Sequence, residues 1–407
     1  MVWHITNEAG NKAAYAGTEG GAVPAPVTHQ WRGDLTITKT ANLVRNEEST
    51  GGYDRYQTVT LENPTITGTY AEALSYQSLA IHSQYAFKTG DTGVLVPTST
   101  GAYRYRKAPS AAIDDIDSAT VVYGIDGLAW QSTGVRHDEF TITIDADDTE
   151  AAWQFSSNLM VGSKEDLPPV IDGVVTSATA TVVTMTGAAW TVSGLVGRYV
   201  FMDFGSHTGN VRMITANTAT TFTVDEAFDP VPTAGDAFRV EANMPVVAVL
   251  DDELIKTSGT EFYLDEIGTA LGTTQIMERV ISFNMTVRSN RTTKKFLETP
   301  DGEYSRRSGR GAREVTGQIR LELDRRDEFW AWANKQERGL MIRQTGTEIE
   351  TGFEHEAVIE IPRIAFETPT EDVRENNMTV TVPFVGFLHT TDDIFTIDVV
   401  NDLATLP

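Results

Sequence analysis

The sequence predicts a mainly β protein built from two tandem units of the same kind, each a β-sandwich or barrel with one helix, plus a small all-β inserted domain. Three observations lead to this prediction: long stretches alternate apolar residues with threonine, the same order of elements occurs near both ends, and a middle region consists of short β segments between Gly, Asn and Asp turns. The predicted domains are an N-terminal arm (1–33), a first unit (34–165), the insert (166–243) and a second unit (244–407).

The arm is rich in Gly, Ala and Pro and is predicted to be extended. The first unit opens with two strand-like stretches, Leu35–Thr38 and Val59–Tyr70, on either side of a polar loop from Asn46 to Gln57. A helix is predicted from Ser75 to Phe87, because apolar residues recur there at roughly helical spacing after a serine that can cap the first turn.

A β-hairpin is predicted at the end of each unit. Ile125–Ser132 is followed, after a predicted short turn, by the alternating strand Phe140–Ile144. Near the other end, Ile361–Thr368 and Met378–Val382 show the same order of apolar core, Ala, aromatic residue, polar pair, turn and alternating strand. The sequence therefore predicts one hairpin that occurs twice.

The rest of the second unit also repeats the order of the first. Alternating residues up to Val287 precede a long loop, and the strand after this loop carries Thr316-Gly317, which matches Thr67-Gly68. Asp324 is predicted to cap a helix from Arg325 to Arg338, whose apolar stripe includes Phe329, Trp330 and Ala333. A long period that occurs only twice is typical of a duplicated domain rather than a solenoid.

The insert is predicted to be a separate β domain with Trp190 and Phe222 as core anchors, entered through the stiff pair Pro168-Pro169. It has no counterpart in the repeated units. We expect it to project outward.

Composition excludes several classes of function. The formal charge of −25 argues against general binding to a phosphate backbone. Such a charge is expected of a surface that DNA passes without sticking, but it is equally expected of any soluble or salt-adapted protein. The absence of cysteine excludes disulfides, thiolate metal sites and a Cys nucleophile. No secretion signal is recognised and no apolar run approaches the roughly 20 residues that span a bilayer, so a protein made in a cytoplasm is expected, with no membrane partner.

Catalytic, metal and cofactor sites are not predicted, and the protein is not expected to be an enzyme. The seven histidines are dispersed, with no carboxylate-backed triad in their spacing. Acidic clusters at 114–117, 145–148 and 251–253 lack the pattern of a calcium loop and are interpreted as solvated turns. A hydrolase that uses Asp145 or Asp147 is the weakest of the three functions considered.

Two corresponding loops differ in charge. Arg288–Arg313 has eight basic and three acidic residues, a local charge of +5, whereas Asn46–Gln57 has a local charge of −2. The basic loop Arg288–Arg313 is either solvated or in contact with the acidic surface of another copy of the chain. Nucleic acid is a third, disfavoured partner, because the loop has few aromatic residues and the rest of the chain repels a polyanion. The candidate contact residues are Arg291, Lys294, Lys295, Arg306, Arg307 and Arg310, opposed by Glu47, Glu48 and Asp54.

The order of strand, long loop, strand with a Thr-Gly pair, helix and closing hairpin resembles the tail tube (major tail) proteins of long-tailed, non-contractile bacteriophages. The resemblance covers about residues 35–160 and 276–390. It implies units whose sheets join those of neighbours into a barrel, rings that stack through the long loop, and a negatively charged lumen for DNA passage during ejection. Two units per chain imply a homotrimer with pseudo-hexameric rings.

The resemblance also implies the partners and the location. These are other copies of the chain and tail proteins such as the tape measure, tail terminator and distal tail proteins, in a virion tail assembled in the host cytoplasm, with DNA passing through without specific binding. The alternative function is a modular tail-fibre or cell-surface protein that binds carbohydrate through the aromatic residues of the insert.

Overall fold

The computed structural model describes residues 4–7, 33–47, 56–87, 93–109, 119–125, 128–166, 170–202, 210–241, 253–291, 293–294, 305–308, 311–323, 327–374, 377–388, 393–404 and 406. β-Strands dominate these residues, which confirms the predicted mainly β class. The chain divides into two compact units. The insert unit comprises Met1–His4, Val121–Ser132 and Lys164–Ala248, and the main unit comprises Ile5–Thr120, Thr133–Ser163 and Val249–Pro407.

Strands β1 to β9 are His4–Asn7, Asp34–Glu47, Tyr56–Ala73, Val94–Leu95, Tyr103–Lys107, Ala119–Ile125, Leu128–Asp145, Gln154–Met160 and Ser163–Asp166, with helix α1 at Tyr76–Ala86. Strands β10 to β16 are Ile171–Val174, Ser177–Ala178, Val182–Thr184, Tyr199–Met202, Val211–Asn217, Thr221–Val224 and Ala237–Val240. Strands β17 to β26 are Glu261–Glu266, Val280–Arg288, Thr293–Lys294, Ser305–Ser308, Glu314–Glu322, Arg338–Glu350, Phe353–Phe366, Thr370–Arg374, Asn377–Gly386 and Thr396–Asn401, with helix α2 at Asp327–Ala333.

Most of both predicted tandem units lies in the main unit, where their strands share one antiparallel sheet. The pairing runs β2–β3–β8–β7 and continues through β7–β18 into β18–β21–β25–β24. We call β2, β3, α1, β8 and the part of β7 after Ser132 the first repeat, and β18, β21, α2, β24, β25 and the end of β23 the second repeat. The repeats are therefore joined side by side by one strand pair.

The Thr-Gly pairs occupy the same place in the two repeats. Gly68 of β3 lies opposite Ile37 on one side and Leu159 on the other. Gly317 of β21 lies opposite Met285 and Phe384 in the same way. This correspondence aligns the repeats residue by residue.

One face of the shared sheet is buried because apolar residues alternate along its strands. On β7, Phe140, Ile142 and Ile144 are each at most 3% exposed, while Thr141 and Thr143 between them face the other side. The alternation of apolar residues with threonine in the sequence thus predicts both the strands and the face that each residue occupies.

Helix α1 begins where the sequence predicts. Ser75 is its N-cap, and the Ser75 and Ser78 side chains bond each other's backbone NH groups in a capping box, so two NH groups near the helix start are satisfied. Ten of its eleven residues are buried. The helix is therefore enclosed rather than amphipathic.

Helix α2 is shorter than predicted, and two of the three residues named for its apolar stripe are exposed, while the side chain of Phe329 lies outside the described part of the chain. It ends at Ala333, Lys335 adopts a left-handed φ of 53°, and Gln336 N–H closes the end on Ala331 O at 2.8 Å. Trp330 is 65% exposed and Ala333 is also exposed, whereas Ala331 is buried. Arg338, expected in the helix, starts β22.

The predicted first hairpin is wrong, because no turn separates Ser132 from Phe140. β7 is continuous across this stretch and contains a bulge between His137 and Glu139. The polar residues that look like a turn in the sequence have partners in the fold: His137 is buried, and Asp138 accepts hydrogen bonds from residues beyond β18.

The second predicted hairpin also differs. Ile361–Phe366 forms the end of β23, and the strand that precedes Met378–Val382 is β24. β25, which contains Met378–Val382, pairs with β21 as β8 pairs with β3. The structural counterpart of Met378–Val382 is therefore β8 and not Phe140–Ile144.

The first long loop is shorter than predicted, and the second contains a strand pair that the sequence does not predict. β2 extends to Glu47, which pairs with Tyr56 of β3. In the second repeat, Thr293 pairs with Ser308 and Lys294 with Ser305 in a two-stranded ribbon, β19–β20.

The insert unit contains a second antiparallel sheet in the order β10–β16–β13–β14–β15–β12–β11. Its core includes Phe222 and Phe238, with rings 5.2 Å apart, and the partly buried Trp190 packs against both. All seven strands fall within the predicted insert. Pro168 and Pro169 lie outside the described residues.

Candidate functional site

The seam between the two repeats is the first candidate surface, because it is the only place in the described sheet where β7 of one repeat pairs with the first strand of the other. Seven residues from each strand pair there, from Glu139↔Arg288 to Asp145↔Ser282. On the exposed face, the Thr141 and Thr286 hydroxyl oxygens are 2.8 Å apart. Ile142 and Met285, on the other face, are both fully buried.

Charged and capping contacts close one end of this seam. Arg288 Nε lies 3.0 Å from Glu139 Oε2, with both side chains at least 30% exposed, so this ion pair contributes at most about 1 kcal/mol. The Asp138 carboxylate accepts from Ser289 Oγ at 2.8 Å and from Arg291 N at 3.0 Å. Asp138 thereby fixes the chain where β18 ends and the basic loop begins.

The exposed face of the shared sheet carries a polar band that crosses both repeats. Ser156, Thr141, Thr286 and Thr316 lie opposite one another on successive strands. The next row contains Gln154, Thr143, Asn284 and Gln318 in the same order. These eight side chains, which we call the hydroxyl–amide band, are all uncharged.

A ladder of charges crosses β22, β23, β26 and β5 elsewhere in the main unit. Arg343 Nε lies 2.6 Å from Glu356 Oε1, and Arg104 contacts both Glu356 and Asp398. Burial raises the pKa of Asp398, although Arg104 acts in the opposite direction. This ladder ties β5 to the last strand of the chain.

The structure describes the predicted contact residues only in part. Arg291 is 7% exposed. Lys294, Arg306 and Arg307 lie in the β19–β20 ribbon, and Glu47 ends β2. Outside the described residues are Lys295, Arg310, Glu48 and Asp54. The expected contact between loops of opposite charge therefore remains a prediction.

The acidic cluster at 145–148 stabilises a turn. Asp145 Oδ1 accepts from Asp147 N at 3.0 Å, and Asp148 Oδ1 accepts from Glu150 N at 3.2 Å. Among the described residues no group of three or more His, Asp or Glu side chains is arranged to hold a metal ion. Most of the other two clusters lies outside the described part of the chain.

A buried polar cluster is present that the sequence does not predict. His82 and His137, far apart in the sequence, meet Glu72 and Ser157 in the core of the first repeat. Their spacing gives no indication of this, because each comes from a different element. Only the alternation in β3 and β8, which places Glu72 and Ser157 at core-facing positions, could have pointed to them.

Neither a protein-family model nor a curated protein matches this sequence. No helix within the described ranges has the length and apolar character needed to cross a membrane.

Proposed function

We propose that the chain is a structural virion protein, a bacteriophage tail tube subunit that assembles with copies of itself into trimeric, pseudo-hexameric rings that stack. One observation carries this proposal: two repeats of the same strand order are paired in series in a single antiparallel sheet. A junction between like repeats within one chain is the contact that a closed ring uses between chains. Closure into a barrel removes exposed sheet edges.

The hydroxyl–amide band supports a role for the exposed face as the wall of a passage for DNA. Uncharged hydroxyl and amide groups neither attract phosphates as Lys and Arg do nor repel them strongly. The net charge of −25 adds long-range repulsion of a polyanion. A wall of this kind lets DNA move without specific binding, although its central band is neutral rather than acidic.

The two alternatives receive less support. Phe222 is fully buried in the insert core, and the partly buried Trp190 ring packs against it, which accounts for both rings without a bound sugar. The Asp145 carboxylate accepts a hydrogen bond from the Asp147 backbone NH in a turn, which accounts for their clustering without catalysis. We therefore propose a structural protein that is not an enzyme.

Assembly of the purified full chain tests the proposal. Light scattering and negative-stain electron microscopy should show trimers, rings or tubes as the protein concentration increases. A monomer at high concentration in every salt condition, with no ring or tube, would contradict the proposal.

We propose the β19–β20 ribbon, which carries Arg306 and Arg307, as the contact between stacked rings. Changing Arg306→Glu together with Arg307→Glu should leave single rings intact and shorten tubes at least about tenfold, because two like-charge contacts then repeat in every copy around the ring. The matched control is Arg212→Glu on β14 of the insert. Tubes of normal length in the double variant would exclude this ribbon as the stacking contact.

A further inference from the structure

Four elements of the first repeat bring a continuous chain of buried polar groups together. His82 Nε2 of α1 lies 2.6 Å from Glu72 Oε1 of β3, and His82 Nδ1 lies 3.1 Å from His137 Nε2 of β7. His137 Nδ1 then lies 2.6 Å from Ser157 Oγ of β8. None of the four residues is more than 8% exposed. We call them the proton chain.

Neighbouring groups complete the surroundings of the proton chain. Tyr70 of β3 donates its hydroxyl to Glu72 Oε2 at 2.6 Å, and the ring of Phe155 of β8 stacks on His82 with centroids 4.7 Å apart. Ser78 of α1 is a further hydroxyl close to Glu72. The titratable groups that face one another here are therefore Tyr70, Glu72, His82 and His137.

The second repeat shows that the fold does not require these groups. Aligning Gly68 with Gly317 and Leu159 with Phe384 places the strand residues of the proton chain at apolar positions of the second repeat. The counterparts of Glu72, His137 and Ser157 are Leu321, Phe366 and Val382. The polar set thus has a role other than filling the core.

The proton chain can take up one proton without losing a hydrogen bond. With both imidazoles neutral, Ser157 donates to His137, His137 donates to His82, and His82 donates to Glu72. One added proton makes His82 an imidazolium beside the Glu72 carboxylate, and the two bonds on its other side reverse. Ser157 then donates to the Asn158 carbonyl oxygen, 3.2 Å away.

A second proton has no such place. It would put two imidazolium rings side by side with nitrogen atoms 3.1 Å apart in a buried site. Burial, followed by the neighbouring His82, lowers the pKa of His137 well below its ordinary value of 6.5. The native state therefore binds fewer protons than the unfolded chain below about pH 6.5, and its stability falls as the pH decreases.

Glu72 acts in the same direction at lower pH. Burial raises its pKa, but the charge and hydrogen bond of His82 and the hydroxyls of Tyr70 and Ser78 outweigh burial and keep the pKa below 4.5. The stability contributed by a carboxylate with a lowered pKa is present above pH 4.5 and is lost as the pH falls through the folded-state value. Both groups therefore weaken the first repeat in acid.

We propose that the proton chain is an acid-sensitive fastener that holds α1 on the sheet of the first repeat and releases it in acid, where a second proton has no hydrogen-bonded place among its groups. His82 is the residue of α1 that joins the helix to β3 and β7 through polar contacts. The second repeat, with apolar side chains at the same positions, stays closed. The inference concerns the core alone and is independent of the proposed tail function.

Hydrogen exchange of the full chain at pH 7.5 and pH 4.5, corrected for intrinsic rates, tests this. Protection of α1 peptides should fall roughly a hundredfold. His137 stays neutral in the folded state and is protonated in the opened state, and two pH units below 6.5 this difference favours the opened state by about a factor of a hundred. Peptides of β21 should change less than about fivefold, because apolar residues, Leu321, Phe366 and Val382, stand at the positions that correspond to Glu72, His137 and Ser157. In the His137→Gln variant, which keeps polar contacts but cannot take the proton, the loss in α1 should shrink to about tenfold or less.

A matched control uses a histidine that touches the same helix outside the proton chain. The ring of His355 lies 5.2 Å from that of Tyr76, and His355→Gln should leave the pH response of α1 unchanged. Equal loss of protection in the normal and His137→Gln chains would overturn the proposal, as would α1 protection that does not depend on pH.

If His137→Gln does not fold, the unaltered chain still decides the question. Nitrogen-15 spectra of labelled histidine should show that His137 remains neutral below pH 6.5 for as long as α1 is protected. A His137 ring that becomes charged near pH 6.5 while α1 keeps its protection would overturn the proposal.

Discussion

The two repeats of the main unit share a strand order and differ in what fills their cores. Around the corresponding glycines, the first repeat buries a polar set, whereas the corresponding strand residues of the second repeat are apolar and, apart from the half-buried Phe366, also buried. Tyr70, Glu72, His137 and Ser157 correspond to Ile319, Leu321, Phe366 and Val382. The comparison teaches that strand pairing and alternation specify this scaffold, whereas the chemistry inside it is free to change.

The corresponding glycines differ as well. A Cβ on Gly317 would lie 2.3 Å from the Asn284 carbonyl oxygen and 2.5 Å from the Phe384 ring, whereas a Cβ on Gly68 would meet only side-chain atoms, at 3.0 Å and beyond. Phe384 takes the place of Leu159, so the larger ring requires the closer approach. Only the second repeat depends strictly on glycine at this position.

The largest effect is expected when the polar group of one repeat is placed in the other. Leu321→Glu puts a carboxylate where the side chain is 1% exposed and no histidine or tyrosine of the first repeat is present. The main unit should lose about 4 kcal/mol or more of unfolding free energy in urea at pH 7. Leu321→Met is the control of similar volume, expected to cost less than about 1.5 kcal/mol. Equal stability of the two variants would show that the core of the second repeat accommodates a buried carboxylate as the first repeat does.

The glycine pair gives the next largest difference. Gly317→Ala should destabilise the main unit by about 2 kcal/mol, because the backbone oxygen of Asn284 must move. Gly68→Ala should cost less than about 1 kcal/mol, since the Leu159 and Val161 side chains can shift by a few tenths of an ångström. Urea unfolding of the two variants measures the difference, and a larger cost at Gly68 would contradict the structural comparison.

The smallest effect is expected at helix α2. Trp330 of α2 is 65% exposed, so Trp330→Ser should change the unfolding free energy by no more than about 0.5 kcal/mol. Tyr85→Ser in the enclosed helix α1, where the ring is 1% exposed, provides the contrasting variant and should cost about 3 kcal/mol. Similar melting temperatures for the two variants would mean that α2 is as enclosed as α1.

Local patterns in the sequence predict much of this fold. The alternation of apolar residues with threonine gives the strands and their faces, and Ser75 marks the start of α1, because both depend on neighbours within a few residues. The short strands of the insert are predicted for the same reason. The matching Thr-Gly pairs also identify strands that occupy the same place in the two repeats.

Contacts between distant residues account for what the sequence does not predict. The stretch from Arg136 to Glu139 has the composition of a turn, yet it stays in β7 because His137 finds His82 and Ser157, and Asp138 finds Ser289. In α2, the left-handed Lys335 follows the end of the helix at Ala333, before the predicted end at Arg338. The seam between β7 and β18 joins residues too far apart in the chain for any periodicity to show it.

The measurement that tests the proposed function most directly is a two-dimensional class average of the purified assembly viewed down its axis. Three copies of a chain with two unequal repeats should give a ring with six similar wall segments and threefold symmetry, in which alternate segments differ. A ring with true sixfold symmetry, an open sheet, or a population of single chains at every concentration would contradict the account.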